Sequence, residues 1–425
     1  MRSHLQVREV MTKTVVILAT LDTKSQEVRY LKSRVEDSGV ETLVVDAGVL
    51  GQPCFTPDIA SEETARLGGS SLEELRASKD EGEAMGVMSR GATEVVQHMY
   101  QQGRLDGIIS LGGSMGTSLG TQVMRCLPFG VPKLMVSTMA SRDISPWIAH
   151  KDIVIFPSVT DLSGLNRMTK RTLASAAAAI VGMVNSHVDA LVTHEPVIGV
   201  GALGATEGCV RGARPMLESM GYEVIVFHTV GSGGRALEEL IQGGLTKAVI
   251  ETSVQELFGH IFNTPYDAGA DRFENAGQAG IPQVVLPGNA DFIAWGPPET
   301  LPQQHKGRHI HMHNPSICLV RTNATEMRLL GETLAAKLNK GHGPAAVVIP
   351  TGGFSEYSRE GMFFHDPEAD RAFGEAIREV LKPDVEVIEV ASNINDPPCS
   401  QTVVEALGRL GVEPRDPLNP GVQPK

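Results

Sequence analysis

Short β-branched apolar runs, each closed by a glycine- or hydroxyl-rich turn and followed by a helical period, recur along this chain and limit what it can fold into. In the first half the runs are Thr14–Thr20, Glu41–Asp46, Gly107–Leu111, Lys133–Ser137 and Asp152–Phe156. They are apolar on both faces, which suits strands covered by helices on each side. Helices are predicted between them, as at Ser25–Ser38, where Val28, Leu31 and Val35 recur at helical spacing and Gly39 supplies the stop. Strand–helix–strand order implies right-handed crossovers and parallel sheets. An Ala-rich helix from about Leu165 to Val184 ends this series; its apolar stretch is too short to span a bilayer.

The segment His187–Pro196 breaks the rhythm and marks a boundary. A second series follows, with strands predicted at Val197–Gly201, Glu223–His228, Ala248–Thr252, Gln283–Leu286, Ile317–Val320, Ala345–Ile349 and Val385–Val390. Helices are expected at Val210–Met220, Arg235–Gln242, Ala324–Leu338 and Ala369–Leu381. With 425 residues the chain exceeds one ordinary core. The expected fold class is α/β: two Rossmann-like, doubly wound domains (13–190 and 196–412) facing a central cleft, with loose tails at 1–12 and 413–425.

Composition removes several function classes. Aromatics are 4% of the chain, too few for the stacking platforms of single-stranded nucleic-acid binders. Lys plus Arg total 37 against 50 Asp plus Glu, a formal net charge of −13, which argues against a phosphate backbone as partner. Five widely spaced cysteines without a CxxC pair suit reduced core residues of a cytoplasmic protein. Met1–Thr12 has no apolar core of a signal peptide. Neither nucleic acid nor membrane is the expected partner.

The turns carry the chemistry. In Ile108–Ser118 a buried strand runs into Gly112, Gly113, Ser114, Gly116 and Thr117 and then a helix. Glycines let successive N–H groups approach one anion, and the helix dipole adds roughly half a positive charge there. The same residues spell G-x-S-x-G, the setting of a serine-hydrolase elbow with Ser114 as nucleophile, and a plain tight turn would look alike. Asp22, Thr23 and Lys24 follow the first strand; Ser137, Thr138 and Ser141 follow the fourth. These loops converge on one phosphate site only if the strands are parallel and adjacent. Asp143, Asp152 and Asp161 could help hold Mg2+.

In the second half, Gly199–Gly204 is a formal GxGxxG, but the next strand ends Phe227-His228-Thr229 without the carboxylate that a dinucleotide ribose requires. The turn Val230–Arg235 places Ser232, Gly233, Gly234 and Arg235 at a helix start, where Arg235 could clamp a carboxylate or phosphate. Glu256 ends the next strand similarly. His309–His313 alternates imidazoles and is read as a polar loop lining a cleft, with His313 capping a turn, rather than as a metal site. Asp366 is expected to cap a helix starting at Pro367, while His365 and Asp396 stay open as further candidates.

Taken together the chain resembles an uncharacterised protein family that includes the N-terminal ATP-binding domain of a plant tobamovirus-resistance protein. The match runs from about Lys13 to Leu410 and rests on Leu21–Lys24, Leu111–Thr117, Leu127–Lys133, Val136–Ser141, Asp161–Asn166, Val226–Arg235, His313–Pro315, Phe364–Asp370 and Asn395–Pro397. It implies two Rossmann-like subdomains, ATP bound by the first, and a homodimer. Ala19-Thr20 stands where the family commonly has Gly-Thr. Three functions remain open: an ATP-dependent enzyme acting on a small acidic metabolite held by Arg235, Glu256 and the His309–His313 string; a nucleotide-gated protein-interaction module; or a serine hydrolase.

Overall fold

A computed structural model describes residues 12–186 and 196–415. The chain divides into two compact units, with the division between Val192 and Thr193. Most of the two expected tails and of the 187–196 boundary segment lies outside the described residues.

The first unit holds strands β1 (Thr14–Ala19), β2 (Glu41–Asp46), β3 (Gly107–Gly112), β4 (Lys133–Ser137) and β5 (Ile153–Pro157). They form one parallel sheet in the order β2-β1-β3-β4-β5. Its helices are α1 (Leu21–Glu36), α2 (Ser61–Leu67), α3 (Leu72–Ser78), α4 (Glu81–Gln101), α5 (Ser114–Met124), α6 (Ser145–Ile148) and α7 (Arg167–Asn185). Alternate residues of β1 serve opposite cores: Val15 and Ile17 pack with Leu31 of α1 and Leu173 and Ile180 of α7, whereas Val16 and Leu18 pack with Met88 and Val96 of α4 and Val123 of α5. The helix after β1 therefore lies on one face and the helix after β3 on the other. Because β1 and β3 are neighbours, their outgoing loops diverge, and the winding reverses between them. In open parallel sheets that reversal is where ligands sit.

The second unit repeats this order with an additional strand. Its strands are β6 (Val197–Ala202), β7 (Glu223–His228), β8 (Thr246–Glu251), β9 (Gln283–Val285), β10 (Phe292–Trp295), β11 (Ile310–Asn314), β12 (Ile317–Arg321), β13 (Ala345–Pro350) and β14 (Glu386–Val390). The parallel sheet runs β14-β13-β9-β8-β6-β7, so β7-β6-β8-β9-β13 matches β2-β1-β3-β4-β5. The helices are α8 (Glu207–Ser219), α9 (Ser232–Gln242), α10 (Gln255–Phe262), α11 (Asn275–Ala279), α12 (Ala324–Lys340), α13 (Pro367–Val380) and α14 (Pro397–Arg409). Helices α8 and α14 cover one face, and α10, α12 and α13 cover the other.

Two expectations are corrected here. The predicted strand Ile317–Val320 is not part of the parallel sheet; as β12 it is the centre of an antiparallel insert ordered β10-β12-β11. His309–His313 is for the most part edge strand β11 and not a loop, and an irregularity between Met312 and Asn314 interrupts its alternation. Asp366 does cap α13, its carboxylate accepting from the Ala369 amide at 3.1 Å. Among the described residues no helix is long and apolar enough to cross a membrane.

Candidate functional site

The carboxyl edge of the first sheet brings together the turns after β1, β3 and β4, but their groups are not equivalent. At β1 the start of α1 is closed from within. Asp46, buried at the end of β2, accepts from the amides of Leu21 at 3.0 Å and Gly48 at 2.8 Å; burial raises its pKa, and the two amides oppose the rise. Asp22 holds the β2 turn through Oδ2, which accepts from Val49 and Leu50 at 3.0 and 2.9 Å, while its buried Oδ1 has no partner. The Thr23 hydroxyl lies 3.2 Å from that of Thr20, and the Lys24 amide is bonded to Thr20 O. Asp46 was invisible as a site residue because a carboxylate ending a strand resembles any turn acid.

At β3 the outcome differs. Gly113 caps α5 with extended backbone and no side-chain cap. Among the described residues the amides of Ser114, Met115 and Gly116 have no acceptor, and the Thr117 amide is the first to return into the helix, to Gly113 O. A Cβ placed on Gly113 would meet nothing nearer than Thr138 Oγ1 at 3.8 Å, so the space in front of the turn is open. Gly112 is glycine for another reason: its Cβ would lie 2.8 Å from Gly116 Cα, where strand and helix touch. The Ser114 hydroxyl is exposed with no hydrogen-bond partner among the described residues, so the base that a hydrolase elbow needs is not in place.

The hydroxyls beneath the turn are structural. Thr117 Oγ1 and Ser137 Oγ lie 2.7 Å apart, both buried, and Ser137 also accepts from the Met139 amide. Thr138 is half-buried and Ser141 exposed on the same edge. Of the three aspartates considered for Mg2+, Asp152 lies at the opposite end of the sheet, before β5, bonded to Lys133 Nζ at 2.7 Å. Asp143 is exposed and turned to the amide and hydroxyl of Ser145, and Asp161 is exposed beyond β5. No group of three or more metal-ligating side chains occurs among the described residues.

In the second unit the glycine-rich turn after β7 is already filled. Glu256 Oε1 accepts from the amides of Gly231 at 2.7 Å and Gly234 at 3.0 Å, at the start of α9. Its Oε2 binds Arg272 Nε at 2.7 Å. Fully buried Arg272 also reaches Glu238 at 3.0 Å and clasps Glu251 with two bonds of 2.5 and 2.6 Å. Burial pushes Glu251 up to about 7 despite Arg272 and raises Glu238 likewise. Burial works to lower Arg272, but Glu251 and its companions hold it well above its ordinary value. The glycines are cut to this cluster: a Cβ on Gly234 would lie 1.9 Å from Glu256 Oε2, and one on Gly201 would lie 2.0 Å from Glu251 Oε2.

Glu256 and Gly234 are therefore engaged internally, which corrects their reading as substrate ligands. Gly233 packs against His228 O, 1.9 Å from where its Cβ would be. Ser232 is exposed, and exposed Arg235 donates to Asp267 O at 3.0 Å. His313 is exposed, while His311 stacks on Phe363 with ring centroids 4.0 Å apart. His365 Nδ1 lies 3.1 Å from Ser358 O, and Asp396 pairs with Arg359 at 3.0 Å. Arg272 was missed because it sits in a polar, glycine-rich segment. The available signal was Glu251, an acid directly after the apolar run Ala248–Ile250, which burial obliges to find a cation.

Fold and site together define a doubly wound α/β protein of two parallel-sheet units, one of them with an open helix-start turn at the point of winding reversal. The chain belongs to the uncharacterised protein family UPF0261, whose N-terminal domain matches residues 13–189 and C-terminal domain residues 195–411. A UPF0261 protein of Clostridium tetani is 41% identical over 387 residues, spanning 91% of this chain and 96% of that one. The ToMV resistance protein Tm-1(GCR237) of Solanum lycopersicum is 31% identical over 427 residues, spanning 94% of this chain and 56% of the tomato protein. Among solved structures, a UDP-GlcNAc 2-epimerase of Methanocaldococcus jannaschii aligns with 64% of this chain and 83% of its own at 9% identity and a TM-score of 0.22, values that carry no inference about ligand.

Proposed function

We propose that the first unit of this protein, in the cytoplasm, binds the phosphates of a nucleotide at the start of α5. ATP is the nucleotide that the family resemblance implies, with Mg2+ as the ion expected to accompany its phosphates. The observation that carries this reading is the row of acceptor-free amides at Ser114, Met115 and Gly116, open in front of Gly113, at the winding reversal of the sheet. Thr138 and Ser141 lie on the same edge to meet further oxygens. Mg2+ is commonly held by one or two carboxylates together with the phosphates; Asp22, at the neighbouring β1 turn, would have to turn its buried, unpartnered Oδ1 outward to serve. A small acidic metabolite at Glu256 is not retained, since that carboxylate already occupies the α9 turn.

The test is calorimetric titration of Mg-ATP into the wild-type chain and Gly113→Val. Valine fits the extended backbone of Gly113, but its branches fill the space before the amides. Binding by the wild type and at least a tenfold loss in the variant, with the melting temperature held, supports the site. Equal affinity in both rejects it.

A further inference from the structure

Asn289 stands apart among the described residues: it is fully buried, and both polar atoms of its side chain, Oδ1 and Nδ2, have no partner. Its main chain is held on both sides, the amide donating to Phe354 O and the carbonyl accepting from Gln255 Nε2 at 3.1 Å. Its φ is +61°, in the left-handed region. Burying polar groups without partners is costly, so such a side chain calls for an explanation. Two residues on, Asp291 is equally buried: Oδ2 accepts from Ser355 Oγ at 2.6 Å, and Oδ1 has no partner. Nε of Arg321 is likewise unpartnered, while its Nη1 donates to Asp291 O at 3.0 Å. Asn289 and Asp291 share the turn leaving the carboxyl end of β9, between the turns of β8 and β13, on the sheet edge where this fold class holds ligands.

We propose that this turn is a second binding site, taking a small uncharged ligand rich in hydroxyl groups, such as a polyol or sugar. The unmet groups choose the class. A cation would satisfy the two oxygens and leave the Asn289 NH2 bare. A phosphate or carboxylate could satisfy that NH2 and Arg321 Nε, but it would bring a second negative charge against the buried Asp291 carboxylate. A hydroxyl both donates and accepts, so a pair of them serves Asn289 and Asp291 together. Neighbouring rings offer apolar surface to the carbon face of such a ligand: Tyr357 is tilted against Phe292 with centroids 5.7 Å apart and stacks on Phe363 at 5.1 Å. Tyr357 and Phe363 are half-buried, and the anchors are fully covered, so entry requires the Ser355–Asp366 segment to move.

The experiment is saturation-transfer NMR on the full chain with D-glucose, D-ribose, myo-inositol and glycerol, alongside acetate and inorganic phosphate, followed by titration of any binder. The variant is Asn289→Gly, because glycine accepts the positive φ and removes the side chain with its carboxamide. Saturable binding of at least one neutral probe, weakened at least tenfold in Asn289→Gly while its melting temperature is kept or raised, supports the proposal. It is overturned if none of the four binds, which would mean that ordered water alone fills the turn. It is also overturned if affinity survives in the variant, or if acetate or phosphate binds there in preference. Gly113→Val should leave this binding unchanged, which separates the site from the nucleotide site.

Discussion

The two units wind their sheets in the same order, and each has a glycine-rich turn between strand and helix, yet one turn is open and the other is filled. In the first unit the glycines follow the third strand, and α5 begins with bare amides. In the second, the helix at that place in the winding, α10, carries Glu256, which reaches to the amides of α9, the helix after the second strand. Glycines in a turn therefore mark close approach, and whether the approaching group is a ligand or an internal carboxylate depends on residues remote in sequence. The start of α1, closed by Asp46, repeats the filled arrangement inside the first unit.

The largest effect that would break this comparison is expected from Arg272→Met. It leaves Glu238, Glu251 and Glu256 buried without their cation and should cost about 3–5 kcal/mol, read by urea unfolding as selective loss of the second unit. Unchanged stability would mean that the cluster is neutral without the arginine. Next comes Gly234→Ala, whose Cβ would collide with Glu256 and Arg272. A loss of roughly 2 kcal/mol is expected, whereas Gly113→Ala, facing open space, should stay within about 0.5 kcal/mol in the same assay and weaken Mg-ATP binding instead. Equal costs at the two glycines would erase the distinction between an open and a filled turn.

A smaller effect is expected with pH. Glu251 has its pKa raised from 4.5 to about 7 by burial, so the folded state binds a proton that the unfolded state has released between those values. Its contribution is fully present below about 4.5 and is lost as pH rises through about 7. Glu251→Gln should flatten that part of the stability profile measured by denaturant midpoints from pH 4 to pH 8; an unaltered slope would assign the titration elsewhere. The smallest effect is expected from exposed Arg235→Ala: within about 0.5 kcal/mol in stability and no change in Mg-ATP affinity, where weakened nucleotide binding would place this arginine at the phosphates.

Much of the fold was legible because strands covered on both sides must be continuously apolar. Glu41–Asp46, Lys133–Ser137 and Glu223–His228 appear with the predicted limits. The insert strands β10 and β11 were not predicted, because β10 is short and β11 is a run of histidines at a sheet edge where no core demands apolar residues. Helix α1 begins at Leu21 instead of Ser25 because Asp46 accepts from the Leu21 amide, a bond between residues with no local signature. For the site, sequence located the β3 turn through its glycines. It could not separate the bare amides there from those covered by Glu256, nor show that Thr117 and Ser137 bond each other, since these are facts of pairing across the fold.

The cluster around Arg272 also bears on how the chain is made. Its acids lie on α9, β8 and α10 and emerge from the ribosome before the arginine does. Until residue 272 is available, a nascent second unit carries three inward carboxylates with no counter-charge, and closing the sheet over them is unfavourable. Order of synthesis thus brings the counter-charge of this cluster only after all three of its acids, and closure around them waits for residue 272.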